Sequence, residues 1–247
     1  MRRFFVNPSE ITNSKAIITG SEARHLVSVL RLNIGARVQL FDGTGATYQA
    51  EVSGISKGRV ELIISLRDEP VQMTTNLFLG QALLKGKKMD VVIQKTTELG
   101  IAGLYPFISD FSNNRHLAAA RESRRLERWR KISREACKQC NRPQPPECYP
   151  VVFFDKFLEE VSTADFDRKL IFWEEEKAQG LQEIIKEGGS GSTMILIGPE
   201  GGFSTVEVEK AKAAGFQPVT LGKKILRAET AAIAAVSILQ YLLGNLG

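Results

Sequence analysis

The sequence predicts an α/β chain in two parts: a small β-barrel over residues 1–70, then a mainly parallel sheet with helices over residues 75–247. Three observations carry this. Residues 37–65 alternate apolar and polar positions, with glycine turns between the runs, as short half-buried strands do. From residue 77 onward continuous apolar runs replace the alternation, as in strands covered on both faces. Those runs take turns with amphipathic helical stretches, and such alternation builds a parallel sheet.

Within the barrel the inward series is Val38 and Leu40, then Tyr48, Ala50 and Val52, then Val60, Leu62 and Ile64. Asp42-Gly43, Gly45 and Lys57-Gly58 supply the turns. One helix interrupts: "GSEARHLVSVLRL" places Ala23, Leu26, Val27 and Leu30 at helical spacing, with Ser21 as its N-cap. A boundary falls in the polar stretch "RDEPVQMTTN". After it, "LFLGQALL" reads as a strand. "KKMDVVIQKTTELG" reads as a helix with the stripe Met89, Val92, Ile93, Thr96 and Leu99, stopped by Gly100. "IAGLYPFI" is a strand and "LERWRKISREACKQC" a basic helix ended by "NRPQPPEC". "KLIFWEE" is a strand before an acidic helix. Then follow strand "TMILIG", helix "STVEVEKAKAAG", strand "FQPVTLG" and the apolar helix "ETAAIAAVSILQYLLG".

Net charge is +5, and its distribution matters more than its sum. Residues 115–142 hold ten Lys/Arg against three Glu, while residues 151–190 hold five against ten Asp/Glu. Residues 1–37 hold six against two. Charge segregated this way suits a polyanion on the basic faces; a solvated helix laced with i,i+4 ion pairs is the plainer account of 115–142. Cys137, Cys140 and Cys148 lie close in sequence, but only His25 and His116 stand ready to complete a zinc set, so no metal is expected. No apolar run reaches the ~20 residues of a membrane helix, and the N-terminus lacks a signal-peptide core; the expected location is the cytoplasm.

Two loops carry chemistry. In "ILIGPEGGFST", Ser204-Thr205-Val206-Glu207 is a capping box, so Gly198 to Phe203 is a loop at a strand's carboxyl end. Open α/β sheets bind ligands there. It is not a P-loop: no Lys-Ser/Thr ends it, and Glu200 would repel phosphate. In "LGKKILRAET", Ile225 and Leu226 are apolar residues in a polar loop. They either wrap something flat and apolar or plug the core.

The pair "IGPEGGFS…LGKKILRAETA" resembles the SPOUT methyltransferases, and within them the ribosomal RNA small subunit methyltransferase E family. "MRRFFV", "GSEARHLVSVLRLNIGARVQLFDGTG" and "QALLKGKKMDVVIQKTTELGI" fit that family's motifs in order. The resemblance implies a PUA-like N-terminal barrel for RNA and a C-terminal domain with a trefoil knot. It implies S-adenosylmethionine held by the two loops, at Leu196, Ile197, Gly198, Pro199, Glu200 and Gly201 and at Leu221, Gly222, Ile225, Leu226, Arg227 and Thr230. Backbone groups of Leu221, Ile225 and Leu226 would read the adenine, and Gly198 and Gly201 would approach the ribose or methionine part. It further implies methylation of N3 of a uridine in 16S rRNA of the small subunit, by a homodimer. Another SPOUT reaction such as 2′-O-ribose methylation, or a non-catalytic RNA-binding assembly protein, are the alternatives.

Uracil N3 carries a proton that must be loosened before transfer. A nearby arginine stabilises charge developing on the uracil oxygens, and Arg227 is the candidate, with an RNA-phosphate contact its plainer role. Glu200 or Glu229 could accept the proton, or serve only in the knot and the helix cap. Arg2, Arg3, Arg24, Arg31, Lys85 and Arg115 are the expected RNA contacts.

Overall fold

A computed structural model describes residues 1–69, 76–112, 119–174, 181 and 191–246. The expected acidic helix after "KLIFWEE" and Arg115 lie outside the described residues. The chain forms two compact units, Met1–Gln72 with Arg134–Pro145, and Met73–Ser133 with Pro146–Gly247.

The first unit is built on β1 (Arg2–Phe5), β2 (Ile11–Thr12), β3 (Lys15–Thr19), β4 (Arg37–Phe41), β5 (Thr47–Ser56) and β6 (Arg59–Asp68), ordered β1-β4-β5-β6-β3-β2. The pleat decides its core. Val38 faces Ala50, Leu40 faces Tyr48 and Val52 faces Leu62 across the ladders, and all six are buried. Two register shifts, between Gln49 and Ala50 and between Val52 and Gly54, mark irregularities of the kind that bend strands. Helix α1 (Gly20–Arg24) starts earlier than expected: Thr19 is the N-cap and Ser21 sits inside the first turn. It continues as a π-turn over His25–Val29, with Leu30 N–H donating to His25 O at 3.0 Å. Ala23 and Leu26 are buried on its expected face.

Arg3 corrects one expectation. It is only 8% exposed; its Nη1 donates to Cys137 O at 3.2 Å and its guanidinium lies 4.8 Å from the Phe41 ring centre. The alternation that buries Phe4 leaves Arg3 against the 134–145 segment of the same unit, so its guanidinium is buried within the unit and not presented on the surface as expected. Arg2, Arg24 and Arg31 are exposed, and Arg2 donates to Leu30 O at 3.1 Å.

The second unit orders its strands β10-β8-β7-β12-β11-β13, with β9 beside β8, every recorded pair parallel. Here β7 is Asn76–Ala82, β8 Gly103–Ile108, β9 Glu147–Cys148, β10 Val152–Phe153, β11 Arg168–Phe172, β12 Ser192–Ile197 and β13 Gln217–Val219. The helices are α2 (Lys88–Glu98), α3 (Ala119–Cys140), α4 (Phe154–Ser162), α5 (Thr205–Ala213) and α6 (Ala228–Leu242); the last turns of α3 belong to the first unit. Parallel strands buried on both faces need two apolar layers, and two exist. Leu77, Leu79, Ile195 and Ile197 pack with Met89, Ile93, Trp129, Val236 and Leu239 of α2, α3 and α6. Ala82, Phe107, Met194 and Leu196 pack with Phe157, Val161, Val208 and Ala211 of α4 and α5. The pattern assigns no element to 147–162, where the structure places β9, β10 and α4. Gly100 ends α2 as expected, at φ 94°, with Ile101 N–H donating to Thr96 O and Gly100 N–H to Thr97 O, both at 3.1 Å. Gln240 Nε2 donates to Leu99 O at 2.8 Å and ties α6 to this turn.

Candidate functional site

The chain leaves β7 toward β8 on one side and later returns to β12 on the other. Their carboxyl ends therefore border a topological switch point, the usual place for a ligand in such sheets.

The first loop, 198–203, is set by its surroundings. Buried Gln81 Nε2 lies 3.3 Å from Gly198 O and 3.4 Å from Ile197 O, holding the strand end. Gly202 N–H donates to Pro199 O at 3.0 Å and closes a turn. Gly202 sits at φ 73°, a left-handed conformation that admits only glycine without strain, with the Glu174 carboxylate against it. The capping box is realised: Ser204 Oγ accepts from Glu207 N–H at 3.2 Å and Glu207 Oε2 from Ser204 N–H at 2.9 Å. Glu207 Oε1 also accepts from Asp110 N–H at 2.9 Å, binding the loop after β8 to the same corner. Burial pushes the Glu207 carboxyl above the usual carboxylate range.

Glu200 faces the switch point. Its Oε1 accepts from Lys85 N–H at 3.1 Å and from Lys88 Nζ at 3.0 Å. Burial alone would raise its pKa, but these two donors prevail and hold it below the usual range. Lys88 also reaches Glu229 Oε2 at 3.8 Å. Glu200 thus ties the loop to the start of α2.

The second loop, 220–227, turns where Gly222 N–H donates to Thr220 Oγ1 at 3.1 Å. Ile225 is 87% exposed, an unusual state for so large an apolar side chain. It is not a core plug. Arg227 is exposed at the N-cap of α6.

These loops and the end of β11 wall one cavity of about 570 Å3. Of the expected residues, Ile197, Gly198, Pro199, Glu200, Leu221, Gly222, Ile225 and Leu226 line it. Leu196, Gly201, Arg227 and Thr230 do not. Leu196 points to the opposite sheet face by strand alternation, Gly201 backs onto Phe111, and Arg227 and Thr230 are exposed outside the wall. Sequence reasoning missed Phe172, Trp173 and Glu174 at the end of β11, with Gly202, Phe203, Thr220, Lys223, Lys224, Ala228 and Ala231. The β11 residues had a readable signal, because "IFWEE" ends a strand of the same sheet. Lys223 and Lys224 put cations at a site whose charge the loop motif alone made negative.

Comparison with known proteins meets this geometry. Residues 71–240 match the model of the RNA methyltransferase domain, and residues 18–65 that of the RNA methyltransferase PUA domain. The Ribosomal RNA small subunit methyltransferase E of Bacillus subtilis is 32% identical over 98% of this chain and 96% of its own length. The chain belongs to the ribosomal RNA small subunit methyltransferase E family. The family member from Neisseria gonorrhoeae, solved bound to S-adenosyl methionine, is 34% identical, covers 98% of each chain and superposes with a TM-score of 0.85. A Legionella pneumophila protein, also solved with bound S-adenosylmethionine, is 30% identical over 97% of this chain and 96% of its own, with a TM-score of 0.87. The mixed α/β unit and the PUA domain of the family account for the two-part chain.

Proposed function

We propose that this chain transfers a methyl group from S-adenosylmethionine to N3 of a uridine in 16S rRNA, acting in the cytoplasm as a homodimer on an assembled or nearly assembled small subunit. Residues 1–70 serve RNA binding and residues 75–247 catalysis. The observation that carries this reading is the single cavity walled by the two loops. Its residues fit the cofactor. Ile225 awaits an apolar cover, and Glu174 suits a sulfonium while Lys223 and Lys224 suit a carboxylate.

The bound cofactor supplies an electrophilic methyl group. Backbone groups of Leu221, Ile225 and Leu226 take the adenine, and the Gly198 corner takes the ribose or methionine part. Leu196, Gly201 and Thr230 lie behind or beside the wall and support the loops. Arg227, with no acidic partner among the described residues, supplies positive charge to the uracil oxygens as N3 loses its proton to solvent water. Glu200 makes a poor base, since two donors already hold it ionised. Arg2, Arg24, Arg31 and Lys85 position the RNA backbone. The outward Ile238 and Tyr241 of α6, 40% and 69% exposed, favour self-association.

Small subunits and naked rRNA, methylated in turn and digested for mass spectrometry, test the reading. The expected product is N3-methyluridine. A 2′-O-methylated nucleoside would overturn the base assignment. Calorimetry without S-adenosylmethionine binding would leave an RNA-binding assembly protein.

A further inference from the structure

A second cavity, of about 490 Å3, lies between the loop leaving β7 and the facing turns of α2 and α3. Its size falls within the ~300–1,000 Å3 typical of small-ligand sites. Leu83, Leu84 and Met89 give it an apolar floor, and Lys85, Arg124 and Arg128 stand on its rim. The charges do not cancel. Asp90 is the acid of the lining, and Arg128 already pairs with it. Arg125 is held by Glu122 at 2.9 Å and lies 5.8 Å from the ring centre of Trp129. Arg124 is exposed and has no acidic partner among the described residues. An exposed guanidinium above an apolar floor recognises a ligand with a phosphate beside a flat apolar face.

Its place decides which ligand. Lys85 lines this cavity with its own residue, while its backbone N–H binds Glu200 in the wall of the cofactor cavity. The two cavities share that tie across the switch between β7 and β12. A group held here stands next to the transfer site.

We infer that this second cavity is an RNA subsite: it takes the phosphodiester and unpaired base of a nucleotide flanking the one methylated. The phosphate meets Arg124 and Lys85, and the base covers the apolar floor. Single-stranded nucleotides are recognised in this way, by a cationic edge and a surface for the base. The inference rests on the proposed methyltransferase reading and adds the place where the substrate's neighbour is gripped.

The test uses the full chain and a labelled single-stranded RNA oligonucleotide, with binding followed by fluorescence anisotropy over a salt series. Arg124→Ala should weaken binding about five- to tenfold and lower the salt slope by ~0.7, the loss of one phosphate contact. Lys131→Ala removes the same charge from the same helix outside the cavity and should change neither. Equal loss in both variants would reduce the site to diffuse attraction by a basic helix and overturn the inference, as would wild-type binding by Arg124→Ala. S-adenosylmethionine affinity, measured by calorimetry, should stay within twofold in Arg124→Ala. Absence of that binding in the wild-type chain would sink the methyltransferase reading separately, with the RNA measurement still deciding the subsite.

Discussion

Glu200→Gln separates a tether from a catalytic base at the same position. The substitution keeps an acceptor for Lys85 N–H but removes the charge that also holds Lys88. Bonds to charged groups contribute ~1.5–3 kcal/mol against ~0.5–1.5 kcal/mol for neutral ones, a difference of about 1 kcal/mol. The Lys88–Glu200 pair is partly exposed, with side chains 37% and 22% accessible, which limits its own share to about 0.2–1 kcal/mol. The variant should lose about 1–2 kcal/mol, or roughly 2–8 °C in Tm for a chain of this size. Cofactor affinity should fall a few-fold as the loop loosens, and single-turnover transfer of labelled methyl at saturating cofactor should fall less than tenfold. General bases contribute ~10²–10⁴-fold. A fall of a hundredfold or more, with Tm and cofactor affinity intact, would refute the tether.

The same carboxylate gives a pH signature. Its folded pKa lies below the ordinary value of 4.5, so its stabilisation is complete above that value and is lost as pH falls through the folded one. The Tm gap between wild type and Glu200→Gln should therefore be full at pH 7 and shrink as pH falls below the ordinary 4.5. A gap unchanged at acid pH would mean that the charge contributes nothing.

Other outcomes follow from neighbouring residues. Arg227→Ala should cut turnover by ~10²–10³-fold while cofactor affinity, by calorimetry, changes little; equal loss of both would remove its role at the uracil. Ile225→Ser should weaken the cofactor about tenfold without lowering Tm, because a side chain 87% exposed contributes apolar burial only when a ligand covers it. Gly202→Ala should destabilise by about 1–3 kcal/mol in chemical denaturation, from the left-handed backbone at this position. Cys137 is fully buried and burial pushes its thiol up to about 12, so alkylation of the native chain at pH 8 should label the partly exposed Cys140 first, as read by peptide mass spectrometry.

Much of the fold is legible because burial on two faces leaves a plain trace. Continuous runs such as "LFLGQALL" and "TMILIG" became neighbouring parallel strands, and the Val38–Leu62 alternation became the first unit's core. The capping box at Ser204 and the stop at Gly100 depend on local chemistry alone, and both stand where the spacing puts them. Helix α4 escaped although Phe154, Phe157, Leu158 and Val161 recur at helical spacing, because it begins directly after a two-residue strand with no polar break. Arg3 escaped for another reason. Its burial depends on Cys137, 134 residues away, and no local pattern encodes such a partner. The site was read in halves: the loops show in sequence, whereas the β11 end joins them only through pairing with β12.

The acid in the glycine loop shows how a local reading changes once the sheet order is known. In sequence, Glu200 marks a loop unfit for phosphate. In the structure its carboxylate lines the first cavity and is spent on Lys85 N–H and Lys88 across the switch point. A tether at that place does more than stiffen a loop. Residue 85 supplies the donor to Glu200 and lines the basic cavity as well, so a shift of this backbone moves both walls together. Substrate seated against Lys85 and Arg124 would thus bias the loop proposed to hold the cofactor, and by reciprocity the cofactor would bias the grip on RNA. Glu200→Ala cuts that link, because alanine offers Lys85 N–H no acceptor, without touching either cavity's apolar surface. RNA affinity measured with and without saturating cofactor should differ in the wild type and converge in the variant. If the cofactor dependence survives in Glu200→Ala, the coupling runs by another route.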